Sequence, residues 1–185
     1  AVPLGYPYRN IMGFGRSVLV VGGSRLSWWL SKCVWVVLCV CFACAVVVVV
    51  AAAMTMCAGG ELTFDADAFA LGVLDIDVQE LRELPRSVLP FLAVVPAAAS
   101  SLCVLQLAFS LAIRPVMSFA VTIALVVASI FFPLPVLAGN YLMAVRAACL
   151  FSNGCDVELG VALCLAIAAC AIVAGGIAFC RMDII

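Results

Sequence analysis

The stretch that decides the fold runs from residue 33 to residue 56 and reads CVWVVLCVCFACAVVVVVAAAMTM. It contains no charged residue, and it is long enough to cross a bilayer core as a helix, which takes roughly 20 apolar residues. Backbone N–H and C=O groups find no water inside a bilayer, so such a run must pair them within itself. The stretch therefore predicts a spanning helix, although its valines favour helices only weakly in water.

The composition of the whole chain agrees with a membrane protein. Of its 185 residues, 68% are hydrophobic and only 10% are charged, whereas a soluble domain is about 45–50% apolar and about 25% charged. Nine basic and ten acidic residues leave a net charge of −1, so the chain offers no basic surface for a nucleic acid. The chain has no histidine, which excludes histidine catalysis and histidine metal sites. We expect a protein that is not an enzyme and has no cofactor.

Three further charge-free runs are long enough to hold a membrane span. With the first run they predict helices at about 33–56, 88–113, 116–136 and 159–180. The other residues form a segment 1–32 ahead of a transmembrane domain 33–185, with loops at 57–87 and 137–158. The predicted fold class is all-α, a polytopic membrane helical bundle with four spanning helices.

The residues after the third predicted helix break this pattern. Pro133 and Pro135 interrupt the helix, and the apolar run that follows contains Gly139, Asn140 and Arg146. That run is too short to span again, and a straight span would expose backbone and charge to lipid. We expect a re-entrant or interfacial helix that packs over the mouth of the bundle on its outer side.

The basic residues predict the orientation of the bundle. Six of the nine fall on one side of the four-pass path, namely Arg9, Arg16, Arg25, Lys32, Arg114 and Arg181. The side richer in lysine and arginine faces the cytoplasm, so both termini are expected there. Trp28, Trp29 and Trp35 surround the entry of the first helix, where indoles commonly lie at the headgroup level.

All eleven cysteines are interpreted as packing residues, chiefly because of the eight that lie outside the predicted loops. These eight lie inside or at the ends of apolar runs, where a free thiol behaves as a small hydrophobe. Cys57, Cys149 and Cys155 lie in the predicted loops. A Cys149–Cys155 bridge stays open as the alternative, since it requires an oxidising exterior.

Small and polar side chains mark the helix faces that should meet other helices. On the second and third predicted helices they recur at spacings of three and four residues, which places them on one face. The candidate residues are Ala99, Cys103, Gln106, Ser110, Ser118 and Thr122. Helix packing and the lining of a substrate path are both open interpretations. The fourth helix carries Ala171-x-x-x-Gly175, a spacing that allows close helix approach.

Three stretches resemble bacterial ABC-2-type ABC transporter permeases. They are RLSWWLSK at 25–32, Pro133 followed by GNYLMAVR at 139–146, and CRMDII at 180–185. They are similar to the cytoplasmic entry segment, to the outer segment before the last helix and to the short C-terminus of such permeases. The resemblance implies that the chain is the last four of six spanning helices, with two N-terminal helices missing.

The resemblance also implies a function and partners. It implies a permease subunit of an ABC exporter in a bacterial plasma membrane, with a separate ATP-binding cassette subunit and a second permease chain. Residues 9–26 would then form the coupling helix, with Arg9, Arg16 and Arg25 facing the ATP-binding subunit. A membrane-surface anchor is the alternative for this segment. For the whole chain, the alternative is a four-helix membrane scaffold or assembly protein without transport.

Overall fold

The structure is a computed structural model that describes residues 24–62, 64, 87–148 and 154–181. Within these ranges the chain is helical, and an isolated bridge between Ala147 and Cys155 is the one β-type pairing. The helices are α1 (Arg25–Cys57), α2 (Leu89–Ala112), α3 (Pro115–Phe131) and α4 (Val157–Arg181), with 3-10 helices at Ala138–Leu142 and Ala144–Arg146. The all-helical fold class is thus confirmed for this part of the chain.

Three of these helices, α1, α2 and α4, are long and apolar enough to cross a membrane. The remaining helix, α3, has 17 residues. At that length it rises about 26 Å, whereas a bilayer core is about 30 Å thick. A membrane-embedded helical bundle is supported, but the fourth span expected at 116–136 is not established, because the helix ends at Phe131.

The first helix begins at Arg25 rather than at residue 33. The Ser24 hydroxyl accepts a hydrogen bond from the Ser27 backbone N–H at 3.4 Å, which satisfies one of the donors left open at a helix start. Lys32 therefore lies inside the helix and does not mark its boundary, and Arg25 is its first residue. With 33 residues, α1 is about 50 Å long and exceeds the thickness of a bilayer core.

A glycine turn closes the other end of α1. Gly59 has a φ of 75°, which costs little without a Cβ atom. Its N–H donates to the Met56 carbonyl at 3.1 Å, and the Gly60 N–H donates to the Thr55 carbonyl at 3.0 Å. These are the two bonds of a Schellman motif, which satisfies carbonyls at a helix end.

The central helix of the bundle is α2, which packs against α1, α3, α4 and the 3-10 helix Ala138–Leu142. Only Ile113 and Arg114 separate it from α3, so the two helices are antiparallel neighbours. Two buried clusters hold α2 in place. The first joins α1, α2 and α4 through Trp29, Cys33, Val36, Val104, Leu107, Ala171 and Phe179. The second joins α2, α4 and the 3-10 helix through Val94, Ala98, Leu102, Ala138, Tyr141 and Cys164.

A single indole determines where α1 meets α4. Trp29 is 0% exposed, and its Nε1–H donates to the Ile172 carbonyl at 2.9 Å. Its ring occupies the space that Gly175 leaves open, since a Cβ atom at that position would lie 2.8 Å from Cη2 of Trp29. The close approach expected at Gly175 is present, with an indole in place of a helix backbone. The Trp29 ring contacts protein and does not face lipid; its expected depth at the headgroup level stays a prediction.

Gly175→Ala should destabilise the bundle. The added methyl group overlaps the Trp29 ring, and such overpacking costs about 1–3 kcal/mol, more than the gain of roughly 0.5–1 kcal/mol from alanine in a helix. We expect a lower melting temperature for the detergent-solubilised protein. Gly176→Ala is the graded control, since its Cβ would lie 3.3 Å from the nearest Trp29 atom. The steric explanation would be contradicted if the two variants lowered the melting temperature equally. It would also be contradicted if Gly175→Ala lowered it as much in a Trp29→Leu background as in the wild type.

Candidate functional site: polar groups at the ends of α2 and α3

The candidate polar residues of α2 and α3 meet in a seam formed by Gln106, Ser118 and Thr122. Gln106 and Ser118 are 7% and 0% exposed, and the Ser118 hydroxyl donates to the Gln106 backbone carbonyl at 2.9 Å. The Thr122 hydroxyl donates to the Ser118 carbonyl at 3.1 Å. Gln106 therefore faces protein, as its place on the polar face predicts.

The other candidates on α2 do not join this seam. The Ser110 hydroxyl donates to the Leu107 carbonyl of its own helix at 2.7 Å. Cys103 packs on the cluster that joins α1, α2 and α4. Ala99 is half-buried and carries no polar side-chain group. The structure thus brings together only part of the polar face that the spacing predicts.

Within the seam, hydroxyls bond to helix carbonyls, which is how serine and threonine are often accommodated in membrane helices. This pattern favours helix packing over the lining of a path. Ser100 departs from it, because its hydroxyl is buried without a hydrogen-bond partner among the described residues. Nothing in the spacing of serines in the sequence distinguishes Ser100 from its satisfied neighbour Ser101, whose hydroxyl donates to the Ala98 carbonyl at 2.8 Å.

A second polar arrangement caps the C-terminal end of α3. Its residues are not among the candidate site residues that the sequence predicts. The NH1 group of Arg146 donates to the Ser129 carbonyl and to Oδ1 of Asn140, both at 2.6 Å, and its NH2 group donates to the Ile130 carbonyl at 2.7 Å. The last carbonyls of a helix have no partner within it, and Pro133 has no N–H to offer Ser129. The guanidinium replaces the missing donors and places a positive charge at the negative end of the helix dipole.

Asn140 extends this arrangement to the residues that follow α3. It is 0% exposed, and its Nδ2 group donates to the carbonyls of Phe132 at 3.2 Å and Leu134 at 2.6 Å. The Tyr141 hydroxyl donates to the Pro135 carbonyl at 2.9 Å. Burial raises the pKa of this hydroxyl, which at its ordinary pKa is already protonated at neutral pH and able to donate. We call residues 129–146 with these bonds the cap network.

The segment after α3 is packed between helices. Its 3-10 helix Ala138–Leu142 contacts α2, α3 and α4, and the Tyr141 ring lies against Gly160 of α4. Where the sequence predicts one re-entrant or interfacial helix, the described part of the segment forms two short 3-10 helices, and its placement relative to a membrane stays a prediction. Two prolines prevent a longer α-helix, and irregular backbone in a membrane is tolerated against protein.

Of the three arginines expected to couple to a partner, Arg25 is the one that the structure describes. It is exposed, and its NH1 group donates to the Cys180 carbonyl near the end of α4 at 3.3 Å. Arg25 therefore helps to join α1 to α4. Arg9, Arg16 and Cys149 lie outside the described residues. Cys155 is a free cysteine in the structure, so the alternative of a Cys149–Cys155 bridge is not supported.

Arg146→Ala should destabilise the protein strongly. It leaves two α3 carbonyls and Oδ1 of Asn140 without the donor they share, and a bond to a charged group contributes about 1.5–3 kcal/mol. We expect a loss of about 3 kcal/mol in the free energy of unfolding, measured by denaturant titration in detergent micelles. The free energy of unfolding of Arg146→Lys should lie between those of the wild type and Arg146→Ala, because one ammonium group lacks the planar fork of arginine. Arg114→Ala, at an exposed arginine, is the control, and a loss for Arg146→Ala no larger than this control's would refute the capping role.

Ser118→Ala should be nearly neutral by the same measurement. It removes one hydrogen bond to the Gln106 carbonyl, and such bonds in membrane proteins average about 0.6 kcal/mol. Ser118→Leu should be far more damaging, because the position is 0% exposed and has no room for a larger side chain. A strong loss for Ser118→Ala would mean that the hydroxyl does more than join two helices.

Comparison with protein-family models, curated proteins and solved structures yields no match for this chain. No family membership, ABC-2 permeases included, is therefore established. The resemblance to those permeases rests on the three stretches of sequence, and the function is a matter for proposal.

Proposed function

We propose that this chain is the membrane-spanning permease subunit of an ABC exporter. It crosses a bacterial plasma membrane four times with both termini in the cytoplasm, and α3 makes the shortest crossing. A separate ATP-binding cassette subunit hydrolyses ATP, and a second permease chain completes the path of the substrate.

The exposure of α1 is the observation that carries this proposal. Its buried residues, Trp29, Cys33 and Val36, all lie in its first half, whereas Val46–Val50 are 43–67% exposed. Between this second half and the start of α2 lies an apolar crevice of about 340 Å³, lined by Ala43, Cys44, Val47, Val48, Phe91, Leu92, Val95 and Pro96. Helices of a further permease chain would fit beside α1 and fill the crevice.

The placement of charge supports the proposed orientation. Arg25, Lys32, Arg114 and Arg181 lie at one end of the bundle, where α1 and α3 begin and α2 and α4 end. The acids among the described residues, Glu61, Asp156 and Glu158, lie at the other end. A basic end faces the cytoplasm under the positive-inside rule.

A four-helix scaffold without transport is the second candidate. The observation that favours it is the bonding of the interior polar groups, because Ser118, Thr122 and Arg146 all donate to helix carbonyls. In this reading those groups hold helices together, and the exposed half of α1 faces lipid or another copy of the scaffold.

Co-purification separates the two candidates. The chain is co-expressed with the ATP-binding cassette subunit encoded beside its gene and purified in mild detergent. We expect a complex whose ATPase activity depends on this chain, and we expect Arg9→Glu with Arg16→Glu to lower the recovery of the ATPase at least tenfold while membrane insertion persists. Arg25 is left intact because it bonds to Cys180.

The matched control is Arg82→Glu with Arg86→Glu, which makes the same charge change in the loop expected outside. Retention of the ATPase by this control and its loss from the Arg9 and Arg16 variant support the permease. If no cassette gene lies nearby, or if wild-type protein retains no ATPase, the permease proposal fails and the scaffold stands.

A further inference from the structure

We propose that the end of the bundle formed by the start of α1 and the end of α4 binds the headgroup of an anionic phospholipid, with Arg25, Lys32 and Arg181 as the cationic residues of the site. This inference concerns the chain itself and holds whether it works as a permease or as a scaffold.

The two helix ends are held together by aromatic and polar contacts. The Trp28 ring stacks on Phe179, with centroids 5.0 Å apart and an interplanar angle of 11°. The Arg25 guanidinium donates to the Cys180 carbonyl at 3.3 Å, and Arg181 is the next and last residue of α4. The start of α1, with Arg25, and the end of α4, with Arg181, therefore lie side by side at the aromatic pair.

Lys32 is positioned by its neighbour on the helix. Its Nζ atom lies 5.1 Å from the centroid of the Trp28 ring, within the range of a cation–π interaction. Arg25, Trp28 and Lys32 follow one another at steps of three and four residues, so they share one face of α1. The ammonium group is thereby held over the Trp28 ring, whose other contact is the stacked ring of Phe179 on α4.

The charge of this end suits a phosphate group. Arg25, Lys32 and Arg181 bring positive charge to this end, while every acid that the structure describes lies at the opposite end of the bundle. Basic pockets between membrane helices on the cytoplasmic side are places where phospholipid headgroups bind. Asp183 lies beyond the described residues.

The surroundings favour a lipid over a soluble anion. Trp35 and Phe42 lie on the same face of α1 as Lys32, three and ten residues further on, and are 56% and 71% exposed. Ten residues of helix rise about 15 Å, so this exposed apolar track runs along most of the length of an acyl chain. The cationic residues would bind the phosphate of a phospholipid, and the exposed apolar side chains beside them would contact its acyl chains.

The test measures the stabilisation of the full chain by added lipid. The protein is purified in an uncharged detergent, and its melting temperature is followed while phosphatidylglycerol, phosphatidylcholine or soluble glycerol phosphate is titrated in. We expect a saturable rise with phosphatidylglycerol and none with the other two. Lys32→Gln and Arg181→Gln should each weaken the apparent affinity about fivefold, since a basic residue near an anionic membrane surface contributes about that factor.

The controls keep the readout specific. Arg114→Gln removes a cation from the same end but outside the α1–α4 pair, so its affinity should match that of the wild type, and Lys32→Arg should retain binding. The readout is the shift caused by lipid, so a lower starting melting temperature in a variant does not affect it. Equal shifts with phosphatidylcholine, an equal shift with glycerol phosphate, or wild-type affinity in the Lys32 and Arg181 variants would each overturn the proposal.

Discussion

The unsatisfied carbonyls at the end of α3 constrain everything that follows them in the chain. Pro133 gives no N–H to the Ser129 carbonyl, and lipid offers none. Arg146 supplies the donor from 17 residues further on, so the chain must fold back between the helices before α4 begins. The Cys155 N–H then donates to the Arg146 carbonyl at 2.7 Å, which places the start of α4 beside the same arginine.

The two ends of the bundle are joined by different means. At the end where α3 stops, the cap network ties the 3-10 helices to α3. At the other end, Trp29 and Arg25 tie α1 to α4 through carbonyl groups and a glycine. Between these ends α2 and α4 stay in contact, while the second half of α1 leaves α2 and opens the apolar crevice. The second half of α1 therefore keeps most of its apolar surface exposed.

The charge-free runs predict α2 and α4 to within two residues, since charge is expelled from lipid regardless of tertiary structure. The start of α1 is missed because Ser24 caps it and cations are tolerated in its first turns. The role of Trp29 depends on a glycine that is distant in sequence, which no local pattern shows. The sequence shows that Arg146 is charged but does not predict its hydrogen-bond partners. Those partners are mainly backbone carbonyls, which every residue has. The spacing does not show the bond of Ser118 for the same reason, since its partner is the Gln106 backbone carbonyl. It does not show the packing of Cys103 either, because that packing depends on residues of α1 and α4 that are distant in sequence.

The seating of Trp29 on Gly175 also limits how the sequence can change over time. Any descendant of this chain that keeps the indole must keep the glycine, while one with a smaller residue at position 29 is free to acquire a side chain at 175. Position 172 carries no such restriction, because its carbonyl accepts the indole N–H whatever its side chain. Valine, alanine and cysteine replace one another readily in lipid, so this linked pair should outlast most of the surrounding sequence as a mark of common ancestry.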